Sequence, residues 1–171
     1  MFYFGYASNL DPDQMRSRAP GHRVVGLAAL RDHQLQFPRF SNDWGGGTAS
    51  PAPRHGPTVW GIVFEVGEQD LAALDRYEGF KGPGDQHNHY DRADITVELT
   101  RPDDGSIPRR LRAHTYIARA SNPSPPSRRY LDTILKGARH HRLPEEYIAS
   151  LAAIPVAPEP AAPESAPPGS A

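Results

Sequence analysis

Tyr6-Ala7-Ser8-Asn9-Leu10 runs straight into Asp11-Pro12-Asp13-Gln14, and this junction decides how the chain begins. Upstream, Phe2–Tyr6 is rich in aromatics and reads as a buried strand. Downstream, Asp11 can cap a helix, Pro12 suits its first position, and Asp13 suits the positive end of its dipole. A short helix is expected over Asp11–Ser17, ending before Ala19-Pro20-Gly21. A strand that feeds a tight turn into a helix start leaves several backbone N–H groups free. Free N–H groups of this kind can hold a carboxylate or a developing oxyanion. The chain therefore offers an anion-handling loop close to its start.

The rest of the pattern alternates between strands and helices. His22–Leu30 and His33–Phe37 read as two strands with Arg31-Asp32 between them. Ser41–Gly47 reads as a loop whose glycines allow positive φ or close backbone approach. Thr58–Val66 is the strongest strand, dense in β-branched and aromatic residues. Glu68–Tyr77 fits a helix with Leu71, Leu74 and Tyr77 on one face and Gly79 as its stop. Lys81–Asn88 is a polar loop. Tyr90–Thr100 and Arg110–Ile117 are strands joined by a Pro102–Gly105 turn. Ser127 can cap a helix to about His141, with Tyr130, Leu131, Ile134, Leu135 and Ala138 inward. Leu143-Pro144-Glu145-Glu146 opens a last helix. Five or six strands with interspersed helices predict the α+β class: a small, mixed, partly closed β-barrel flanked by helices.

The composition narrows the function classes. At 171 residues the chain is long enough for one domain with a real core. That domain is expected over residues 1–154. Pro155–Ala171 is dominated by Pro and Ala without periodic apolar residues, and is expected to be a disordered tail. A net charge of −1 provides no global basic field for nucleic acid. Cysteine is absent, so disulfide and thiolate chemistry are excluded. No long apolar run exists, so neither a membrane span nor a signal peptide is expected, and the cytoplasm is the default compartment. His87 and His89 flank Asn88, and His140 and His141 are adjacent. Neither pair has a familiar zinc spacing, and neighbours on a helix point roughly 100° apart. No metal site is expected.

Leu74-Asp75-Arg76-Tyr77-Glu78-Gly79-Phe80 is the second informative stretch. Glu78 falls at the end of the predicted helix, where the dipole disfavours another negative charge. Desolvation there would raise its pKa, which suits a general base working near neutral pH. Its position alone also fits a solvated surface acid.

Four segments now combine. They are Tyr3-Phe4-Gly5-Tyr6-Ala7-Ser8-Asn9-Leu10, Val59-Trp60-Gly61-Ile62-Val63-Phe64, Leu74–Gly79, and the stretch from Thr115-Tyr116-Ile117 to Leu143-Pro144-Glu145-Glu146-Tyr147. In this order and spacing the chain resembles the γ-glutamylcyclotransferase-like family, which includes AIG2-like proteins. The resemblance implies intramolecular aminolysis, in which the α-amine of a γ-glutamyl compound attacks its γ-carbonyl. The products are 5-oxoproline and a released amino acid. It implies Glu78 as the catalytic acid/base. It implies a substrate-binding set of Tyr6, Ala7, Ser8, Asn9 and Leu10, with Tyr90 and Tyr116 lining the pocket. Those tyrosines also fit as core aromatics with satisfied hydroxyls. Ala7 stands where the family usually has Gly, which would matter if that position needed positive φ. No cofactor is implied, and the expected partner is a small γ-glutamyl substrate for a monomer or homodimer. Among branches, the chain looks nearest to the one acting on γ-glutamyl-amino acids. A γ-glutamylamine cyclotransferase, a γ-glutamyl-deprotecting enzyme of the same fold, and a non-catalytic binding module are the alternatives.

Overall fold

The aromatic run forms strand β1 (Phe2–Gly5), and a single turn of 3-10 helix over Ser8–Leu10 follows it. Helix α1 (Pro12–Arg18) comes next, capped by Asp11, whose carboxylate accepts from the Asp13 amide at 2.8 Å. The computed structural model describes residues 1–100 and 107–158. The expected Pro102–Gly105 turn, and residues 159–171 of the expected tail, lie outside the described residues.

Two expected strands merge into one, β2 (Arg23–Ser41). At Arg31-Asp32 the chain bulges instead of reversing. Asp32 takes φ 56°, the register slips between Arg31 and His33, and the Asp32 carboxylate accepts from the Gly56 amide at 2.9 Å. Strand β3 (Gly46–Glu65) starts well before the expected Thr58. Pro51 and Pro53 lie inside it, opposite Leu35 and His33. Proline lacks a ladder donor, but among the described residues this half of β3 pairs only with β2, so its other edge needs none.

Helix α2 (Glu68–Tyr77), strands β4 (Tyr90–Leu99) and β5 (Arg110–Ala118), and helices α3 (Arg128–His140) and α4 (Glu145–Ala152) complete the order. The sheet closes as β1-β3-β2-β4-β5. The expected partial closure is a full one, made by parallel pairing of β1 with β5 at Tyr3 and His114. The Thr115 hydroxyl adds a bond to the Phe4 carbonyl at 2.9 Å. Phe4, Val63, Phe64, Val97, Leu99 and Tyr116 are buried in the core. No described helix is long and apolar enough to cross a membrane.

Helix α3 follows its sequence closely. Ser127 caps it by accepting from the Tyr130 amide, and the five residues expected inward are buried. Its Gly137 lies against the backbone of Leu10 and Asp11, where a Cβ would collide. Lys136, beside it, reaches both the Asp11 and Asp13 carboxylates, at 3.0 and 2.8 Å. Past α4, Val156 packs on the core and the Ala157 amide donates to the Pro126 carbonyl at 2.8 Å. The chain thus stays docked beyond Ile154, the last residue of the expected domain.

Gly137 carries a prediction with an inverted sign. Gly to Ala in a helix interior ordinarily stabilises by about 1 kcal/mol. Here the new methyl meets backbone that cannot rotate away, and overpacking of this kind costs about 1–3 kcal/mol. Gly137→Ala is therefore expected to lower the urea midpoint. An unchanged or raised midpoint would show that the two segments can part at no cost.

Candidate active site

Glu78 is the C-cap immediately after α2, with φ and ψ of −85° and −1°. The chain leaves through Gly79 at φ 65°, a left-handed turn that favours glycine. A side chain at Gly79 would also strike the His89 ring. Leu71 and Leu74 are buried, as expected, and anchor α2. Tyr77, expected beside them, is instead 57% exposed. Its ring lies beneath the Arg18 guanidinium, 5.0 Å away, so it serves the rim of the site rather than the core. Asp75 locks the last turn of the helix to the barrel. It accepts from the Tyr116 hydroxyl at 2.7 Å and pairs with Arg92 at 2.7 Å.

Asn9 brings the first loop to this helix end. Its side-chain amide donates to Glu78 Oε1 at 3.1 Å and to the Tyr3 hydroxyl at 2.7 Å. Its carbonyl oxygen accepts from Arg18 at 2.8 Å and Gln14 at 3.2 Å. Arg18 also lies 3.5 Å from Glu78 Oε1, with both side chains about five-sixths buried (16% and 15% exposed). The 3-10 turn bonds Leu10 N to Ala7 O and Asp11 N to Ser8 O. The Ala7, Ser8 and Asn9 amides make no backbone hydrogen bond among the described residues.

Two neighbouring spaces share Glu78 on their walls. An inner recess of about 30 Å³, roughly one water, is walled by Tyr3, Tyr6, Ala7, Asn9 and Tyr116 among others. An outer cavity of about 550 Å³ carries Arg18, Arg39, Trp44, Tyr77, His89 and Arg129 on its walls. Ser8, Glu78, Tyr90 and Tyr130 line both. The loop, Glu78, Tyr90 and Tyr116 therefore meet at one place. Leu10 does not join them. It is fully buried beneath α3 and lines neither space.

Burial pushes the Glu78 carboxyl above the ordinary glutamate value; the Arg18 charge and the Asn9 hydrogen bond pull against this without cancelling it. Burial likewise raises the phenols of Tyr3 and Tyr90, and Glu78's charge adds to both. These hydroxyls keep their protons. Tyr6 donates to the Tyr116 carbonyl at 2.6 Å, and Tyr90 to Thr48 at 2.7 Å, so both rings are held as fixed walls. Ala7 has φ −129° and ψ −130°, so this position does not use the positive φ that would require glycine.

Comparison with known proteins places the chain in a family. Residues 58–151, which contain Glu78, match the model of the AIG2-like family. The chain belongs to that family. Within it, the chain is 31% identical to a Mus musculus protein named gamma-glutamylcyclotransferase, over 89% of this chain and 77% of the relative. The Homo sapiens protein of the same name is 30% identical over the same shares. A solved gamma-glutamyl cyclotransferase structure superposes with a TM-score of 0.81 at 27% identity, covering 96% of this chain and 93% of that one.

Sequence reading missed Arg18, Arg39, Trp44 and Arg129. Gln14 and Arg18, one helical turn apart, were a signal for the first, since both reach Asn9. The other three arrive from β2, its following turn and α3, and no local spacing links them to Glu78.

Proposed function

We propose that this chain is a γ-glutamylcyclotransferase that converts γ-glutamyl-amino acids into 5-oxoproline and free amino acid. The observation that carries the reading is the desolvated Glu78 carboxylate. It is fixed by Asn9 beside a loop whose Ala7–Asn9 amides make no backbone hydrogen bond among the described residues, where a small recess and a larger cavity share Glu78 on their walls.

The chemistry accounts for each part. At neutral pH the substrate's α-amine is an ammonium and cannot attack. Glu78 removes one proton, and its raised pKa makes it a competent base there. The freed amine nitrogen bonds to the γ-carbonyl carbon, and the carbonyl π electrons move to oxygen. The Ala7–Asn9 amides are the donors for that oxyanion and for the α-carboxylate. As the tetrahedral centre collapses, the bond to the leaving nitrogen breaks, Glu78 returns its proton to that nitrogen, and the ring nitrogen gives up its second proton, so that the lactam is neutral and the released amine becomes an ammonium. The tyrosine walls hold the glutamyl chain in the folded conformer that ring closure needs. One carboxylate and backbone donors suffice, so the scheme calls for no metal or cofactor. We read its setting as the cytoplasm and its partner as a soluble small molecule.

The direct test is incubation of the purified chain with γ-glutamyl-alanine, followed by chromatography. Equal amounts of 5-oxoproline and alanine are expected. A folded protein that releases neither would overturn the proposal.

A further inference from the structure

The outer cavity, about 550 Å³ and sharing Ser8, Glu78, Tyr90 and Tyr130 with the inner recess, is the space beside Glu78 large enough to take the leaving half of the substrate. Its cations are not equivalent. Arg18 is committed to Asn9 and Glu78, with the Tyr77 ring beneath it. Arg129 is committed to the Asp43 carbonyl, with its guanidinium 4.9 Å from the Trp44 ring centre. Arg39 differs from both. It is half-buried on β2, and its guanidinium makes one long contact, to the Arg119 carbonyl at 3.4 Å. No carboxylate lies within 4.0 Å of it among the described residues. A guanidinium has five donors in a planar fork, and here most of them are unspent.

Arg39's backbone is also held in place. Its carbonyl accepts from the Thr48 hydroxyl at 3.1 Å, and Thr48 accepts from Tyr90, which walls the catalytic recess. On either side, Phe40 N bonds Ser121 O at 2.9 Å and Ser121 N bonds Pro38 O at 2.8 Å. The fork is thus presented to the cavity from rigid strand, coupled through Thr48 to the wall beside Glu78.

We propose that Arg39 binds the carboxylate of the departing amino acid and makes the enzyme select γ-glutamyl-amino acids over γ-glutamyl-amines that lack this group. The assignment rests on the cyclotransferase reading above and adds the residue that recognises the leaving group. A charge-assisted, two-pronged contact of this kind discriminates by about 10–100-fold when the partner charge is removed.

The test compares γ-glutamyl-alanine with γ-glutamyl-alaninamide, which differ only in a carboxylate replaced by a neutral amide. The readout is the ratio of their kcat/KM values for 5-oxoproline release, in wild type, Arg39→Met and Arg39→Lys. The ratio does not depend on the fraction of enzyme folded. Wild type is expected to favour the acid by about 10–100-fold. Arg39→Met is expected to bring the ratio close to one, and Arg39→Lys to retain part of it. A wild-type ratio near one overturns the assignment. So does a ratio unchanged in Arg39→Met, which would mean that Arg39 serves the glutamyl half or only the fold. If wild type releases 5-oxoproline from neither compound, the cyclotransferase reading itself has failed.

Discussion

Glu78→Gln is expected to lower 5-oxoproline release by about 10²–10⁴-fold, toward the upper end because the same carboxylate both takes and returns the proton. Glutamine keeps the size of the side chain and can still accept from Asn9 and Arg18, whose donors lie 3.1 and 3.5 Å from Oε1. What it loses is the ability to take a proton from an ammonium. The variant should fold. Burial raises the Glu78 pKa, so in the wild type this group costs stability as pH rises from its unfolded pKa through the higher folded one. Removing the charge removes that cost, and the melting temperature at neutral pH should hold or rise. Activity should show the same titration. In wild type, kcat/KM should fall on the acidic side with an apparent pKa above the ordinary glutamate value of about 4.3, and that limb should vanish in the variant. A folded Glu78→Gln enzyme with near-wild-type release would remove Glu78 from the mechanism.

Blocking the nucleophile should have a still larger effect. N-acetyl-γ-glutamyl-alanine presents an amide nitrogen where the reaction needs an amine, so no ring can close. Neither 5-oxoproline nor its N-acetyl form is expected over any practical incubation, as judged by mass spectrometry. The Tyr6–Asn9 recess has room for about one water beyond its own walls, which argues that an acetyl group also hinders binding. Release of N-acetylglutamate and alanine would mean that water attacks the γ-carbonyl, and that the chain is an amidase instead.

The parts that were readable from sequence are those whose cause is local. Asp11 and Pro12 announce α1, the spacing of Leu71 and Leu74 with Gly79 bounds α2, and Ser127 starts α3. In each case the signal lies within a few residues of its effect. The β2–β3 arm was harder to read because prolines argue against strand, and only knowledge that one edge goes unpaired lifts the objection. Glu78 was placed at a helix end by pattern and given its role by resemblance. What makes it basic is burial, which outweighs the opposing pull of Arg18 and Asn9, and the Asn9 contact spans 69 residues of chain, a link that no local spacing records. Leu10 shows the converse. It sits within the binding-loop motif, yet its side chain is spent on packing beneath α3.

The parallel closure of the barrel fixes when the catalytic pocket can come into being. Strand β1 leads directly into the loop that carries Asn9, but one of its two neighbours is β5. Thr115 reaches Phe4 across 111 residues, and Tyr6 reaches the Tyr116 carbonyl across 110. On a ribosome, β1 emerges long before β5 and must wait for its second neighbour. Loop closure on this scale is entropically costly and slow compared with local pairing. A nascent or truncated chain that lacks β5 would carry both Asn9 and Glu78 with nothing to clasp β1 from its far side. The arrangement makes the ability to cyclise substrate one of the last properties acquired during biosynthesis, and among the first forfeited when the strands unzip.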